Sequence, residues 1–190
     1  MSIHLTKIYT RTGDDGTTGL SNFERVSKSD PRLIAYADTE EANAAIGTVL
    51  AIGQPRIDIA DTLTRIQNEL FDAGADLATP IEENPKYPPL RVEQSYIDRL
   101  EADCDRFNSE LSDLTSFILP GGTPCAALLH QARVVTRRAE RAAWVAYGEF
   151  PDTTSKLPAQ YLNRLSDLLF IVGRIANAGD DILWVPGGKR

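Results

Sequence analysis

Between Ile59 and Leu77, apolar side chains recur at Ile59, Leu63, Ile66, Leu70, Ala73 and Leu77, with spacings of four, three, four, three and four residues. An α-helix brings such positions onto one face, and a face that apolar must be covered by another element. The same seam returns at Leu162, Leu165, Leu169, Val172 and Ala176, and more sparsely at Ile97, Leu100, Cys104 and Phe107. It also runs through Leu128, Leu129, Ala132, Val135, Ala139, Ala142 and Ala146. No segment of period two is long enough to build a sheet. The seams must therefore cover one another, which predicts an all-α, five-helix up-and-down bundle.

Capping residues place the helix ends. Asp30 can cap the first helix and Pro31 suits its first position, with Gly53 placed to stop it. The second runs from about Asp58 to Pro80, and the third over about Val92–Ser109. Thr123 and Pro124 open the fourth, which ends near Gly148. The fifth covers about Pro158–Ala178, with Gly179 as its stop. Four prolines within Pro80–Leu90 predict an irregular surface loop. Gly13, Gly16 and Gly19 keep residues 1–28 out of a helix; they predict a loop with short strand pairing around Ile8–Thr10 and Thr18–Leu20. The tail ILWVPGGKR has no evident partner. With no repeat or linker, residues 1–190 are expected to form one domain: an arm over 1–28, a bundle over 30–179 and a tail over 180–190.

The segment RVVTRRAER, Arg133–Arg141, concentrates positive charge in a chain of formal net charge −7. On a helix, Arg133, Arg137 and Glu140 share one face, with Arg138 and Arg141 beside it. A guanidinium stays charged and can hold a phosphate through two parallel hydrogen bonds, although such a face can also be merely solvated. The acidic balance argues against a general nucleic-acid binder. No apolar run is long enough for a bilayer and no signal core opens the chain, so the cytoplasm is the expected location. Cys104 and Cys125 stand in no metal or redox spacing and read as reduced packing residues. With His4 and His130 the only histidines, no multi-histidine metal site is expected.

TRTGDDGTTG could bring backbone N–H groups and threonine hydroxyls to a phosphate, with Lys7, Arg11 and Lys28 nearby, but it is not a P-loop and also suits a plain Asp-Gly turn. Asn163, Asp167, Phe170 and Arg174 line a face opposite the last leucine seam. Phe117, before a Pro-Gly-Gly break, would ordinarily fold into the core; the alternative is an exposed apolar wedge. Asp38 alone reads as a surface acid. No motif marks an activated nucleophile, so a reaction here would use a nucleophile that arrives with the substrate.

Taken together, TRTGDDGTTGL at 10–20, SFILPGG at 116–122, RVVTRRAER at 133–141 and YLNRLSDLLF at 161–170 resemble the PduO-type ATP:cob(I)alamin adenosyltransferases. The motifs stand in that family's order and span nearly the whole chain. The resemblance implies a cobalamin adenosyltransferase-like bundle assembled as a homotrimer, with active sites between neighbouring subunits. It implies transfer of the 5′-deoxyadenosyl group of ATP, accompanied by Mg²⁺, to cob(I)alamin as substrate, giving adenosylcobalamin and triphosphate.

It assigns Thr10, Arg11, Thr12, Gly13, Thr18, Gly19 and Lys28 to phosphate binding, and Arg137, Arg138, Glu140, Arg141 and Asn163 to the nucleotide. Asp38 and Arg133 become a pair bridging two subunits near the corrin, and Phe117 the aromatic that displaces its lower axial ligand. A cobalamin reductase and an adenosylcobalamin-dependent mutase are implied partners. A carrier that binds ATP or cobalamin without catalysis is the alternative, and a purely structural trimer a third.

Overall fold

The computed structural model of the protein describes residues 9–189. Two short strands, β1 (Thr17–Gly19) and β2 (Arg25–Ser27), precede α1 (Pro31–Thr48), α2 (Ile57–Leu77), α3 (Gln94–Asn108), α4 (Pro124–Glu149) and α5 (Leu157–Ala176). The capping residues act as their chemistry predicts. An Asp30 carboxylate oxygen accepts from the Arg32 N–H at 2.8 Å, and Thr123 Oγ1 accepts from the Ala126 N–H at 3.1 Å.

The end of α1 differs from expectation. The helix widens into a π-turn over Val49–Gly53, and the chain leaves through Gln54, whose φ of 52° makes it the left-handed residue. Gly53 is instead buried against the start of α4: a Cβ there would lie 3.5 Å from Cys125 Cα. Its small size serves close packing at that point.

Residue pairs across the interfaces fix the directions. Glu41 meets Arg138 while Gly53 meets Cys125, so α1 and α4 run antiparallel. Asn43 bonds the Gln67 carbonyl between α1 and α2. Arg99–Glu69 and Arg65–Asp103 set α2 against α3, again antiparallel, as Asn163–Glu140 and Thr123–Ala176 do for α4 and α5. Tyr96 against Tyr161 and Glu101 against Arg164 show α3 and α5 running parallel. Direction thus alternates along the chain, while α5 lies between α3 and α4.

One apolar core joins all five helices. The whole α2 seam is buried, as are Leu162, Leu165, Leu169 and Val172 of α5. On α4 the buried stripe passes through Leu129, Ala132, Val135, Ala139, Ala143 and Ala146, leaving Leu128 and Ala142 at its edge. Alanines there let α1 and α5 approach closely. Buried Glu69 of α2 ties it to both neighbours, accepting from Arg99 on α3 and Tyr161 on α5, both at 2.9 Å. Both cysteines are free, and burial pushes the Cys104 thiol up to about 12, with nearby Asp167 adding to the effect. Among the described residues, no helix is long and apolar enough to cross a membrane.

The arm forms a small hairpin, with Thr18 opposite Val26. The partner of β1 is therefore Arg25–Ser27, not the expected Ile8–Thr10. Tyr9 and Thr10 lie outside any strand, and Ile8 lies outside the described residues. The hairpin docks on the end of α2 through the Ser21 N–H and hydroxyl, both donating to the Ala78 carbonyl.

Candidate functional site

Helix α4 presents its arginines as the spacing predicts. Arg137 and Arg141 are exposed, with Arg141 Nη1 donating to the Arg137 carbonyl at 3.1 Å. Arg138 turns toward α1, where it bonds the Glu41 carboxylate and lies 3.7 Å from Asp38. The Glu41 hydrogen bond, with both carboxylates nearby, raises the Arg138 pKa. As a surface pair it adds at most about 1 kcal/mol to stability. Glu140 accepts from Asn163 Nδ2 at 3.0 Å, joining α4 to α5. Asn163 also borders a groove with Gln94, Ile97, Trp144, Gln160 and Arg164.

One turn toward the start of α4, Arg133 is partly buried and its Nε has no hydrogen-bond partner. Its guanidinium lies 5.9 Å from the centre of the Phe170 ring. Burial, then the charge of Arg137, lowers its pKa. His130 lies one turn further back, against the Phe170 ring and Gly173, with neither ring nitrogen partnered. Burial and then Arg133 lower the His130 pKa, against the opposing pull of Asp181, so the ring is held toward its neutral form.

The arm is compact and polar. Thr10 and Thr12 hydroxyls meet at 2.9 Å, and Arg11 takes a left-handed φ of 63° that a non-glycine residue rarely adopts. Arg25 donates to the Thr12 carbonyl at 2.6 Å and also bonds the Thr17 hydroxyl. Lys28 lies over Gly13, where a Cβ would sit 3.0 Å from Nζ and 3.2 Å from the Thr17 carbonyl. A side chain there would push the lysine end or the Thr17 carbonyl aside by a few tenths of an ångström. Thr18 and Gly19 form the centre and end of β1.

Phe117 does not fold into the core: it is 78% exposed. The tail, which had no partner in the sequence reading, pairs with this loop. Trp184 N–H donates to the Phe117 carbonyl at 2.7 Å, Leu119 N–H to the Ile182 carbonyl at 2.8 Å, and Ser116 Oγ to the Trp184 carbonyl at 3.1 Å. The Trp184 and Phe117 rings meet edge to face at 6.1 Å. Arg174, expected on an open polar face, is buried; its Nε donates to Asp181 at 3.0 Å and its Nη2 to the Ser112 carbonyl at 2.9 Å.

The structure thus groups Arg137, Arg138, Glu140, Arg141 and Asn163, and sets Arg133 beside Phe170 and His130. Asp38 meets Arg138 of its own chain, not Arg133. Among the described residues, no hydrogen bond or ion pair joins the arm to Arg137–Arg141. Sequence reasoning missed His130 as a neighbour of Arg133, and missed Asn177, Asp181 and Trp184. Arg174, Asn177 and Asp181 fall at i, i+3 and i+7, a spacing that signals a shared face running past the helix end.

Guanidinium groups on an open helical face and an exposed aromatic on a braced loop are thus carried by one five-helix bundle. The chain belongs to the cobalamin adenosyltransferase family, whose model matches residues 8–176. It is 66% identical over 190 residues to a corrinoid adenosyltransferase of Mycobacterium tuberculosis, covering 100% of this chain and 98% of the relative. The corresponding Mycobacterium leprae protein is 62% identical over 191 residues, with 99% and 100% covered. Among solved structures, a variant PduO-type ATP:corrinoid adenosyltransferase from Lactobacillus reuteri, complexed with cobalamin and ATP, superposes with a TM-score of 0.86 at 34% identity, covering 95% of this chain and 100% of that one.

Proposed function

We propose that this chain transfers the 5′-deoxyadenosyl group of ATP to cob(I)alamin, releasing adenosylcobalamin and triphosphate. The observation that carries this reading is the exposed guanidinium set of Arg137 and Arg141 beside the Glu140–Asn163 contact, in a member of this family. The similar Lactobacillus reuteri protein, solved with cobalamin and ATP, supports both substrates.

The electron balance is simple. Cobalt(I) donates a lone pair to the ribose C5′ to form the cobalt–carbon bond, the C5′–O bond breaks, and triphosphate leaves with the pair from that broken bond. No side chain need act as nucleophile, so the protein's work is positioning and charge. Arg137, Arg138 and Arg141 meet the charge that grows on the leaving group, with Arg138 exchanging Glu41 for phosphate. Glu140 and Asn163 orient the nucleoside. Thr10, Arg11, Thr12, Gly13, Thr18, Gly19 and Lys28 cradle the phosphates.

Mg²⁺ arrives with ATP as part of the substrate; among the described residues no group of three or more His, Cys, Asp or Glu converges to hold an ion alone. Phe117 takes the place of the lower axial ligand of cobalt(II), which makes its one-electron reduction to cobalt(I) easier.

The arm and the arginine face, apart within one chain, come together between neighbours in a homotrimer. The orphaned Arg133 Nε then finds Asp38 of an adjacent subunit. The chain works as one domain of arm (1–28), bundle (30–179) and tail (180–190). It acts in the cytoplasm, beside a reductase that supplies cobalt(I) and a mutase that takes the product.

Two variants test the assignment. Arg137→Ala abolishes stabilisation by Mg·ATP and turnover together, whereas Phe117→Ala keeps ATP binding and loses the reaction that starts from cobalt(II). Parent-like turnover in Arg137→Ala would overturn the assignment.

A further inference from the structure

We propose that a buried clamp of Arg174, Asn177 and Asp181 positions Phe117 by tying the tail to the loop that carries it. This rests on the reading of Phe117 as the residue beneath the corrin. The loop from Leu111 to Gly122 has no helix or strand of its own, and Phe117 projects from it largely exposed. An exposed aromatic on an irregular loop samples several orientations unless its backbone is held from both sides.

Three groups supply that hold. Arg174 is 7% exposed and spans two segments, donating to Asp181 in the tail and to the Ser112 carbonyl at the start of the loop. Asn177 is 5% exposed and does the same at the loop's other end. Its Oδ1 accepts from the Thr123 N–H at 3.0 Å, and its Nδ2 donates to the Gly121 carbonyl at 3.1 Å and to Asp181 at 3.0 Å. Asp181 is thus the shared anchor, two residues before the Leu183 that bridges Ile118. From there the tail runs antiparallel to Phe117–Leu119 and sets the Trp184 ring against the Phe117 ring. Charge-assisted hydrogen bonds among buried groups are strong and directional, so the register between tail and loop is fixed where Phe117 needs it.

The test uses the full chain as parent, Asp181→Asn, Trp184→Ala, Phe117→Ala and the Asp181→Asn/Phe117→Ala double variant. Each is assayed at saturating Mg·ATP from cob(II)alamin with a reduced flavin as one-electron donor, and separately from chemically pre-reduced cob(I)alamin. A clamp predicts that Asp181→Asn and Trp184→Ala slow the cobalt(II) route by about 10- to 100-fold, as small misplacements do. The cobalt(I) rate and the KM for ATP stay at parent values, and the absorption signature of cobalt(II) lacking its lower ligand shrinks. The double variant is no slower than Phe117→Ala alone.

Parent rates from cobalt(II) in Asp181→Asn and Trp184→Ala, with Phe117→Ala still slow, overturn the clamp and leave the role of Phe117 standing. Equal slowing of both routes, or a further loss in the double variant, also overturns it by showing a merely structural effect. A parent rate in Phe117→Ala itself removes the role of Phe117, and the clamp with it. Should Asp181→Asn fail to fold, Trp184→Ala decides alone, since its ring is 41% exposed and lies outside the core.

Discussion

Gly122→Ala should be among the most damaging single-methyl additions in this protein. Gly122 has a φ of +103°, and a Cβ there would overlap Asn177 Oδ1 and lie 2.6 Å from its Cγ. Two costs combine. A left-handed alanine costs about 1–2 kcal/mol. Moving the Asn177 amide breaks its bonds with Thr123, Gly121 and Asp181, at about 1 kcal/mol each. The sum is about 4–5 kcal/mol. For a chain of this size each kcal/mol shifts Tm by about 2–4 °C, so the midpoint should drop by roughly 8–20 °C.

Gly121→Ala is the control. Its φ of +154° carries backbone strain, but nothing lies within 4 Å of the added methyl. It should therefore cost only the first component, about 1–2 kcal/mol. Urea and thermal unfolding of both variants measure the difference. A Gly122→Ala within about 1 kcal/mol of Gly121→Ala would refute the account, because Asn177 would then not be the keystone of this junction.

Other expectations follow from buried groups. His130 has a folded-state pKa below its ordinary 6.5, so the unfolded chain takes up that proton first. Its neutral burial is compatible with full stability above about 6.5, and stability falls as pH drops below that value. His130→Gln should flatten the decline of the urea midpoint in that window, and an unchanged slope would count against it. Glu69→Ala should cost about 2–4 kcal/mol by orphaning the buried Tyr161 hydroxyl and unpairing Arg99, with Glu69→Gln milder because it keeps an acceptor. On the proposed trimer, Arg133→Ala should shift sedimentation toward smaller species without loss of helicity; an unchanged mass distribution would place the partner of Arg133 elsewhere.

The helices were legible because their determinants are local. The 4-3 seam of α2, the Asp30 and Thr123 caps and the proline starts each act within a few residues, and the structure places them as the pattern predicts. The end of α1 was misread because Gly53 suggested a stop by conformation, while its constraint is the approach of α4, a contact between segments some 70 residues apart. The hairpin partner of β1 and the return of the tail onto Phe117 were not legible because pairings of three residues or fewer carry almost no periodic signal. Arg174 looked like a surface residue because its type is usually exposed, and its carboxylate partner lies past the helix end. Of the candidate site, the shared face of Arg137 and Glu140 could be read from spacing, whereas the contact of Glu140 with Asn163 on α5 could not. No spacing within the sequence signals the proposed meeting of arm and arginines.

The most direct measurement is a single turnover in which anaerobic cob(I)alamin and Mg·ATP are mixed with excess protein, and both products are quantified. The account predicts adenosylcobalamin and intact triphosphate appearing together at one-to-one stoichiometry, and neither with Arg137→Ala. Bound ATP with no cobalt–carbon bond formed, or release of ADP and phosphate in place of triphosphate, would contradict it.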